Sequence, residues 1–390
     1  MHIGIPLETY PGEARIAATP ETVSKLVAQG HYVTVQKEAG ARAWFTDQAF
    51  IMAGAEIGDA RTALTADLVL KVHAPNDAEL ALSKAGSVLV GMLNPFDHEQ
   101  VARLAEAGLI AFALEAAPRT TRAQSLDVLS SQANIAGYRA VLVAASLYQR
   151  FLPMLMTAAG TVKAARVLVL GAGVAGLQAI ATAKRLGAVI EASDVRPAVK
   201  EQIESLGAKF ISVSYETDDE CAAGEGVGGY ARPMPASWLQ RQAAQVRERA
   251  QHADIIITTA LIPGHPAPVL LSEDTVKTMK PGSVIVDLAA GRGGPSNPGA
   301  GNCALTEADK VVTRYGVQIA GYTNLPAMAA TDASALYARN VLDFLKLIID
   351  SSGALAINMK DDIVAATLLC RDGKLLKPAH KPSPTVIRSI

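Results

Sequence analysis

The chain has 390 residues, of which half are apolar, and a formal net charge of −1 at pH 7. This length is sufficient for two domains, and the balanced charge gives no electrostatic case for binding nucleic acid or an anionic membrane surface. Every window of about 20 residues contains charges or turn signals, so we expect no direct insertion into a membrane. The three cysteines, Cys221, Cys303 and Cys370, lack metal-ligand spacing, so we expect no bound metal.

Residues 1–129 alternate short apolar runs with helical stretches, which predicts a doubly wound parallel sheet. Thr19 followed by Pro20 and Glu21 is typical of a helix start, because the hydroxyl caps free backbone N–H groups and proline fits the first turn. Met1 to Pro6 form a strand that runs into a loop, so we do not interpret them as a signal peptide. The predicted strands are His2–Pro6, Tyr32–Gln36, Leu68–Val72, Val88–Leu93 and Ile110–Ala113.

A second α/β domain is predicted over residues 130–324. A long Ala-rich helix over Gln132–Phe151 bridges the domains, and another over Ser334–Ile349 crosses back. The tail from about Ser351 is expected to be irregular and to return to the first domain. The predicted strands are Arg166–Leu170, Val189–Ser193, Lys209–Val213, Asp254–Ala260, Ser283–Ala289 and Val317–Gly321. The predicted fold class is therefore α/β, with two doubly wound parallel-sheet, Rossmann-like domains that are separated by a cleft and joined by long helices. The first domain is formed by residues 1–129 and completed by residues 325–390.

The strongest functional signal is a G-x-G-x-x-G pattern between a predicted strand, Arg166–Leu170, and a predicted helix, Val174–Leu186. Gly171 allows a tight turn, Gly173 lets backbone approach a pyrophosphate, and Gly176 lets the helix pack closely on the sheet. The N-terminus of the helix adds free N–H groups and the positive end of its dipole. The pattern predicts a dinucleotide site, and the alternative is a glycine turn that binds no ligand.

Asp194 directly follows the next predicted strand, Val189–Ser193. A carboxylate at this position accepts hydrogen bonds from the adenosine ribose hydroxyls and repels a 2′-phosphate. The residue therefore favours NAD(H) over NADP(H) as the bound cofactor.

Two glycine-rich loops are candidates for ligand contacts. Gly224–Pro235 has the composition of a lid with Tyr230 as its contact, or alternatively of a disordered surface insertion. Gly291–Asn302 follows a predicted strand, so it lies at the carboxyl edge of the sheet, where open α/β folds bind ligands.

Arg119, Gln124 and Asp127 are crowded into a short polar segment before the bridging helix, and hence near the predicted cleft. An Arg–Asp pair can hold a loop in place, and a Gln side chain can bond a carboxamide through both of its groups. The alternative is a capped helix start with solvated charges, and these residues alone do not decide between the two.

Several runs carry a resemblance to a known family. Gly12–Pro20, Leu70–Val72 and Gly171–Asp194 resemble segments of the alanine dehydrogenase and transhydrogenase superfamily. The runs most similar to proton-translocating nicotinamide nucleotide transhydrogenases are Arg122–Asp127, Ser130–Arg139, Met156–Thr161, Gly176–Gly187 and Thr258–Gly264. Over almost its whole length, the chain resembles their NAD(H)-binding domain, made as a separate alpha subunit without membrane helices.

The resemblance implies a subunit that binds NADH and passes hydride to NADP⁺ held by a partner subunit, coupled to proton movement through a membrane-spanning subunit. It also implies a homodimer at the cytoplasmic face of the inner membrane, attached through its partners. Direct transfer between two nicotinamides requires positioning rather than an acid or base, so no catalytic histidine is expected. Motif matching implies the role of each candidate residue. The nicotinamide is surrounded by Arg119, Gln124, Asp127 and Ser130, of which the first three are catalytic candidates. The pyrophosphate is covered by Ala172, Gly173 and Val174, between Gly171 and Gly176. The ribose is held by Asp194, Val195 and Arg196, and the pocket is closed by Gly229, Tyr230 and Leu261.

Alanine dehydrogenase is the main alternative, because Arg15 and Lys71 match that family's substrate-binding arginine and lysine. That family also has a histidine in the segment corresponding to Leu89–Pro95 and an aspartate where Gly291 falls, and proton transfer during imine hydrolysis depends on such groups. A non-catalytic NAD-sensing module is a third interpretation. Against the transhydrogenase pattern, residues 295–301 look like an insertion.

Overall fold

The computed structural model describes residues 1–225 and 234–376. Two compact units divide the chain: unit 1 comprises Met1–Gln132 and the chain from Pro326 onward, and unit 2 comprises Ala133–Leu325. Each unit is an α/β fold around a largely parallel sheet, so the predicted fold class is confirmed. Within the described ranges, no helix combines the length and the apolar character needed to cross a membrane.

In the N-terminal segment of unit 1, each predicted strand is found within one residue of its predicted bounds. The helix that starts after Thr19 is confirmed: the Thr19 side chain accepts from the Thr22 N–H, and Pro20 occupies the first turn. The elements are β1 (His2–Ile5), α1 (Pro20–Ala28), β2 (Tyr32–Gln36), α2 (Asp47–Met52), β3 (Glu56–Gly58), α3 (Ala60–Leu64), β4 (Leu68–His73), α4 (Asp77–Leu82), β5 (Val88–Met92), α5 (His98–Glu106), β6 (Ile110–Ala113) and α6 (Val128–Leu147).

Helix α6 begins at Val128, earlier than the predicted start at Gln132. The reason is a cap at Asp127, which the sequence analysis gave as one of two alternatives for this segment. One carboxylate oxygen of Asp127 accepts the backbone N–H of Ser130 at 2.9 Å, and the other accepts its hydroxyl at 2.6 Å. The boundary between the two units falls inside this helix.

Unit 2 holds the second sheet, whose described strands run in the order β11-β10-β9-β12-β13-β15-β14, all parallel except β14. A separate hairpin, β7–β8, and the edge strand β14 were not predicted. The elements are β7 (Leu155–Thr157), β8 (Gly160–Val162), β9 (Arg166–Leu170), α7 (Val174–Arg185), β10 (Val189–Ser193), α8 (Lys200–Ser205), β11 (Lys209–Phe210), α9 (Asp218–Glu225), α10 (Ala236–Ala250), β12 (Ile255–Thr258), α11 (Glu273–Lys277), β13 (Val284–Asp287), β14 (Val311–Arg314) and β15 (Val317–Ala320).

The tail belongs to unit 1, as expected, but the prediction that it is irregular is wrong. It contributes α13 (Asp362–Thr367), β16 (Leu368–Arg371) and β17 (Lys374–Leu375), after the long helix α12 (Ala330–Ile348). Strand β16 pairs antiparallel with β6, which gives the order β17-β16-β6-β5-β4-β1-β2-β3. Its apolar residues are buried, because they extend the sheet of unit 1 by a further strand.

Both faces of the central strands are covered, which explains their unbroken apolar runs. In β9, Val167 and Val169 belong to one buried cluster, and Leu168 and Leu170 belong to another on the opposite face. The parallel strands direct their carboxyl ends to one edge in each unit, and the candidate functional residues follow those ends.

Candidate nucleotide-binding site

The turn between β9 and α7 and the first turn of α7 together contain three glycines in three different environments. Gly171 has a φ of +98°, and an added Cβ would lie 2.7 Å from the Thr259 hydroxyl oxygen. A Cβ on Gly176 would lie 1.9 Å from the carbonyl oxygen of Gly171, so only glycine allows the helix this close. A Cβ on Gly173 would meet nothing within 4 Å. The packing roles predicted for Gly171 and Gly176 are confirmed, whereas Gly173 leaves open space beside the backbone.

The N-terminus of α7 meets this open space without a side-chain cap. Gly173 is the N-cap residue, with an extended backbone and no side chain to bond the first N–H groups. Free N–H groups and the helix dipole at such an end favour an anion. The turn is held on one side by the Gly171 N–H, which donates to Ser193 O, and on the other by the Thr259 hydroxyl, which donates to Gly171 O at 2.9 Å. The fold therefore holds the turn in place with its open side at Gly173.

Asp194 lies beside the turn, at the carboxyl end of β10. One of its oxygens accepts the Ala172 N–H at 2.7 Å, so the acid is bonded to the turn itself. Its carboxylate also pairs with the Arg196 guanidinium at 2.8 Å, and the side chains are 6% and 22% exposed respectively. The sequence analysis placed both residues at the ribose but did not detect that they pair with each other.

A tyrosine that the sequence analysis missed supports the same segment. The Tyr215 hydroxyl donates to Val195 O at 2.5 Å, and its ring stacks on Trp238 with centroids 6.2 Å apart. Burial raises the pKa of Tyr215 above its ordinary value, so the hydroxyl keeps its proton and remains a donor. No sequence motif indicated a role for Tyr215, because its partner is a backbone carbonyl, which every residue carries.

A buried aspartate organises the loops at the carboxyl end of β13. Asp287 is fully buried and accepts from the hydroxyls of Thr258 and Thr306, at 3.0 and 2.8 Å, and from the backbone N–H groups of Ala289, Asn302 and Cys303. Asp287 thus supports the glycine-rich segment that follows it. An acid inside the predicted apolar strand Ser283–Ala289 was the available sequence signal, and the sequence analysis did not use it.

Asn302 connects this segment to the loop after β12. Its side-chain amide donates to the carbonyls of Ala260 and Pro268, both at 2.8 Å, and accepts the Ala260 N–H at 3.0 Å. These bonds hold the backbone beside Leu261, the candidate pocket residue on that loop. Residues 295–301, interpreted as an insertion, lie between Asp287 and Asn302 in the chain.

In unit 1, the segment from Arg119 to Ser130 forms a short 3-10 turn followed by α6, and Gln124 is exposed. Asp127 and Ser130 bond each other at the helix start, as the alternative of a capped helix requires. Arg119 is exposed at the start of the segment.

Two further contacts hold this segment. Arg122 pairs with Asp361 at 2.6 Å and also with Asp362, and the Arg122 hydrogen bond lowers the pKa of Asp361 to about 2. The side-chain amide of Asn340 donates to Ser125 O at 2.7 Å. Elements α12 and α13 therefore support the loop that carries Gln124.

Gly229 and Tyr230, the remaining candidate pocket residues, lie outside the described residues. Within the described ranges, no group of three or more His, Cys, Asp or Glu side chains is arranged to hold a metal ion.

The carboxyl edge of unit 1 carries buried charges that neutralise one another. Arg15 bonds both oxygens of Glu13, at 2.8 and 2.6 Å, and its third nitrogen donates to Gln132 at 2.8 Å. Burial acts to raise the pKa of Glu13, but the hydrogen bonds from Arg15 hold this pKa well below its usual range. His73 bonds the same carboxylate at 2.7 Å. The Arg15 side chain is 3% exposed and fully engaged within the protein.

Lys71 is neutralised in the same way. Its ammonium nitrogen lies 2.8 Å from Glu79 and 3.5 Å from Glu8, and its side chain is 1% exposed. Burial raises the pKa of Glu8 above its ordinary value, with Lys71 acting in the opposite direction. Two carboxyl groups thus lie beside one buried ammonium group.

The segment matched to the histidine of the alanine dehydrogenase pattern, Leu89–Pro95, contains no histidine, and Gly291 stands where that pattern has an aspartate. Asn94 has a φ of +53°, and its N–H donates to Glu115 at 2.6 Å. Burial raises the pKa of Glu115 to about 7. Gly291 has a φ of +74°, a conformation that favours glycine over a side chain such as aspartate.

Comparison with known protein families assigns the chain. Residues 4–136 match the family described as "Alanine dehydrogenase/PNT, N-terminal domain", and residues 140–378 match "Alanine dehydrogenase/PNT, C-terminal domain". The chain belongs to the alanine dehydrogenase/PNT family. The superfamily predicted from the sequence is therefore confirmed.

Individual family members are similar over most of the chain. An NAD(P) transhydrogenase alpha-subunit polypeptide of Rhodospirillum rubrum is 49% identical, over 97% of this chain and 98% of its own length. The crystal structure of a transhydrogenase from Sinorhizobium meliloti has a TM-score of 0.85 at 46% identity, covering 96% of this chain and 100% of that one. An alanine dehydrogenase of Staphylococcus saprophyticus is 30% identical, over 86% of this chain and 84% of its own. The alpha-subunit relative is thus considerably more similar than the alanine dehydrogenase.

Proposed function

We propose that this chain is the NAD(H)-binding alpha subunit of a proton-translocating NAD(P) transhydrogenase. In this role it passes hydride from NADH to NADP⁺ bound on a partner subunit. The observation that carries the nucleotide assignment is the open space at Gly173, at an uncapped helix N-terminus beside Asp194. The transhydrogenase assignment is supported by the 49% identity to an alpha-subunit polypeptide over nearly the whole of both chains.

The residues of unit 2 fit the chemical groups of a dinucleotide. The backbone at Ala172, Gly173 and Val174 would bind the pyrophosphate, because this turn offers N–H groups and no Cβ obstructs its approach at Gly173. Asp194, with Val195 and Arg196, would hold the adenosine ribose. Leu261 would border the pocket, on a backbone that Asn302 holds in place.

The nicotinamide ring of the bound cofactor carries the hydride, so the task of the protein is to position it. We assign that role to Gln124, which would contact the carboxamide, with Arg119, Asp127 and Ser130 shaping the same loop. Gly229 and Tyr230 would close the pocket. Positioning is the main catalytic resource where no acid or base takes part, so no group on this chain needs to move a proton during transfer.

The same proposal includes the partners. NADP(H) would be bound by a second subunit, and a membrane-spanning subunit would couple hydride transfer to proton translocation. The chain would act as a homodimer at the cytoplasmic face of the inner membrane, held there by its partners.

Alanine dehydrogenase remains the second candidate, because a named alanine dehydrogenase is 30% identical. That activity would use Arg15 and Lys71 to bind the substrate carboxylate. Buried carboxylates already engage both cations here. The segment matched to the family's histidine, Leu89–Pro95, contains no histidine, and Gly291 takes the position of the aspartate, so neither place supplies a group for proton transfer.

The test is to mix the chain with an NADP(H)-binding transhydrogenase domain and measure hydride transfer from NADH to an NADP⁺ analogue with a shifted absorbance. We expect transfer that requires both proteins, and no NAD⁺ reduction when alanine is added to this chain alone. Alanine-dependent reduction of NAD⁺ without any transfer to the analogue would replace the proposal with the second candidate.

A further inference from the structure

The carboxylate of Asp194 is saturated by donors from its own unit. A carboxylate offers about four acceptor positions. One oxygen accepts from Ala172 N at 2.7 Å and Arg196 Nη2 at 2.8 Å, and the other accepts from Arg196 N at 2.8 Å and Arg196 Nε at 2.9 Å. All four positions are therefore used, two of them by the Arg196 guanidinium.

The backbone donors and the guanidinium differ in how easily they can leave. The Ala172 N–H belongs to the glycine turn, and the segment from Asp194 to Arg196 is held by the Tyr215 hydroxyl on Val195 O. The Arg196 side chain is 22% exposed and extends on a flexible stem, so side-chain rotation can carry the guanidinium from Asp194 toward solvent. Without the guanidinium, Asp194 keeps its two backbone bonds and regains two acceptor positions, which equals the number of hydroxyls on an adenosine ribose.

We propose that Arg196 competes with the adenosine ribose for Asp194 and thereby sets the selectivity between NADH and NADPH. This inference rests on the proposed nucleotide site and goes beyond it. With NADH, the ribose hydroxyls replace the guanidinium on Asp194. With NADPH, the released guanidinium pairs with the 2′-phosphate, because arginine binds phosphate in a bidentate manner. Asp194 then disfavours NADPH in two ways, by its own charge and by holding the arginine away from the phosphate.

This mechanism makes the effects of the two side chains depend on each other. If Asp194 acted alone, its replacement would improve NADPH binding equally whether Arg196 were present or not. If Arg196 is the phosphate-binding group, the improvement depends on the arginine. A double-mutant cycle on Asp194→Asn and Arg196→Gln separates the two cases.

NADH and NADPH are titrated into the full chain by nucleotide fluorescence, for the unmodified protein, both single variants and the double variant. Asp194→Asn should strengthen NADPH binding about tenfold when Arg196 is present and less than about threefold in the Arg196→Gln background. Arg196→Gln alone should weaken NADPH about tenfold while NADH stays within about threefold of the unmodified protein. Adenosine 5′-monophosphate and adenosine 2′,5′-bisphosphate, as competitors, repeat the comparison without the nicotinamide.

Two controls separate selectivity from folding. Arg185→Gln removes an exposed arginine at the far end of α7 and should leave both affinities unchanged. Melting temperatures show whether every variant is folded. The two backbone bonds use different oxygens of Asp194, and Asn has only one, so we expect a modest decrease of equal size in both variants that carry Asp194→Asn.

An equal gain for NADPH from Asp194→Asn in both backgrounds would overturn the inference. An equal loss of affinity for NADH and NADPH in Arg196→Gln would also overturn it, since the arginine would then only support the segment from Asp194 to Arg196. A protein that binds neither nucleotide would overturn the proposed function itself, whereas NADH binding with an additive cycle would overturn the arginine's role alone.

Discussion

The two units have the same class of fold but use the carboxyl edges of their sheets differently. In unit 1, the loop after β1 pairs buried Glu13 with Arg15, and Lys71 of β4 pairs with Glu79 of α4. In unit 2, the turn after β9 has open space at Gly173 and no side chain capping α7. The buried charges at the first edge pair with one another, whereas the second edge has open space beside the backbone of an uncapped helix start.

This difference shows that the position of a residue at the carboxyl edge is insufficient to assign it a ligand. Arg15 matches a substrate-binding arginine by sequence, yet its hydrogen bonds to Glu13 and Gln132 are made within unit 1 itself. Asp194 is also paired with an arginine, but that arginine is partly exposed and can rotate away. Burial of the cation, rather than its presence, distinguishes the two edges.

The largest effect is expected from breaking the buried Glu13–Arg15 pair at the carboxyl edge of unit 1. Arg15→Met leaves Glu13 buried without its guanidinium, and such a loss costs about 3–5 kcal/mol of unfolding free energy. Urea denaturation followed by circular dichroism measures it. Lys25→Met is the matched control, because it breaks an exposed pair with Glu21 and should cost less than about 1 kcal/mol. Equal, small effects of the two variants would mean that Arg15 has no structural role.

A smaller effect is expected in the polar loop of unit 1. Gln124→Asn keeps the amide but withdraws it by one methylene, so hydride transfer to the partner domain should slow on the order of 10²-fold. NADH affinity should change only modestly, since the contacts at Gly173 and Asp194 are retained. Stopped-flow transfer and NADH titration separate the two quantities.

Gln29→Asn, the same change at an exposed position after α1, should affect neither quantity. If Gln124→Asn transfers hydride at the unmodified rate, Gln124 belongs only to the start of a capped helix.

The smallest effect concerns how the free energy of unfolding depends on pH through Glu115, at the carboxyl edge of unit 1. The pKa of Glu115 is about 7 in the folded protein, because burial disfavours its charged form, and its ordinary value is 4.5. As pH rises from about 4.5 to about 7, the unfolded chain releases this proton and the folded chain retains it, so stability falls. Glu115→Gln removes this loss and should be more stable than the unmodified protein at pH 8 by about 1–3 kcal/mol.

Urea denaturation at pH 4 and pH 8 measures this difference, which should be close to zero at pH 4. Glu106→Gln, an exposed position at the end of α5, is the comparison variant and should show no such pH-dependent gain. A gain for Glu115→Gln of equal size at both pH values would contradict the assigned pKa.

Periodicity and turn residues predicted most of the fold. The strands β9 and β10 were predicted with their observed bounds, because apolar runs ended by Gly171 and Asp194 leave little choice. The tail was not predicted, since α13 and β16 are short and gain stability only from packing on β6. The start of α6 was missed because the sequence left a binding loop and a helix cap open as alternatives at Asp127, and the helix was predicted to begin only at Gln132.

Local spacing predicted the residues of the candidate site that are close in the chain, such as Gly171 and Gly173 in the turn after β9 and Gly176 in the first turn of α7. It could not reveal partners that are distant in sequence. Tyr215 reaches Val195, and Asn302 reaches Ala260, through hydrogen bonds between separate loops. Arg196 and Asp194 are close in the chain, but both were assigned to the adenosine ribose, so their contact with each other was not predicted.

Nucleotide binding at the open edge of unit 2 is tested most directly by titrating NADH into Gly173→Val and the unmodified chain. The backbone at this residue is extended, with φ of −72° and ψ of −167°, and a Cβ there meets nothing within 4 Å, so the variant should fold and keep its melting temperature. The added side chain would fill the space that the pyrophosphate needs. We expect NADH affinity to fall about tenfold or more. A folded Gly173→Val protein that binds NADH as tightly as the unmodified chain would contradict this assignment of the site.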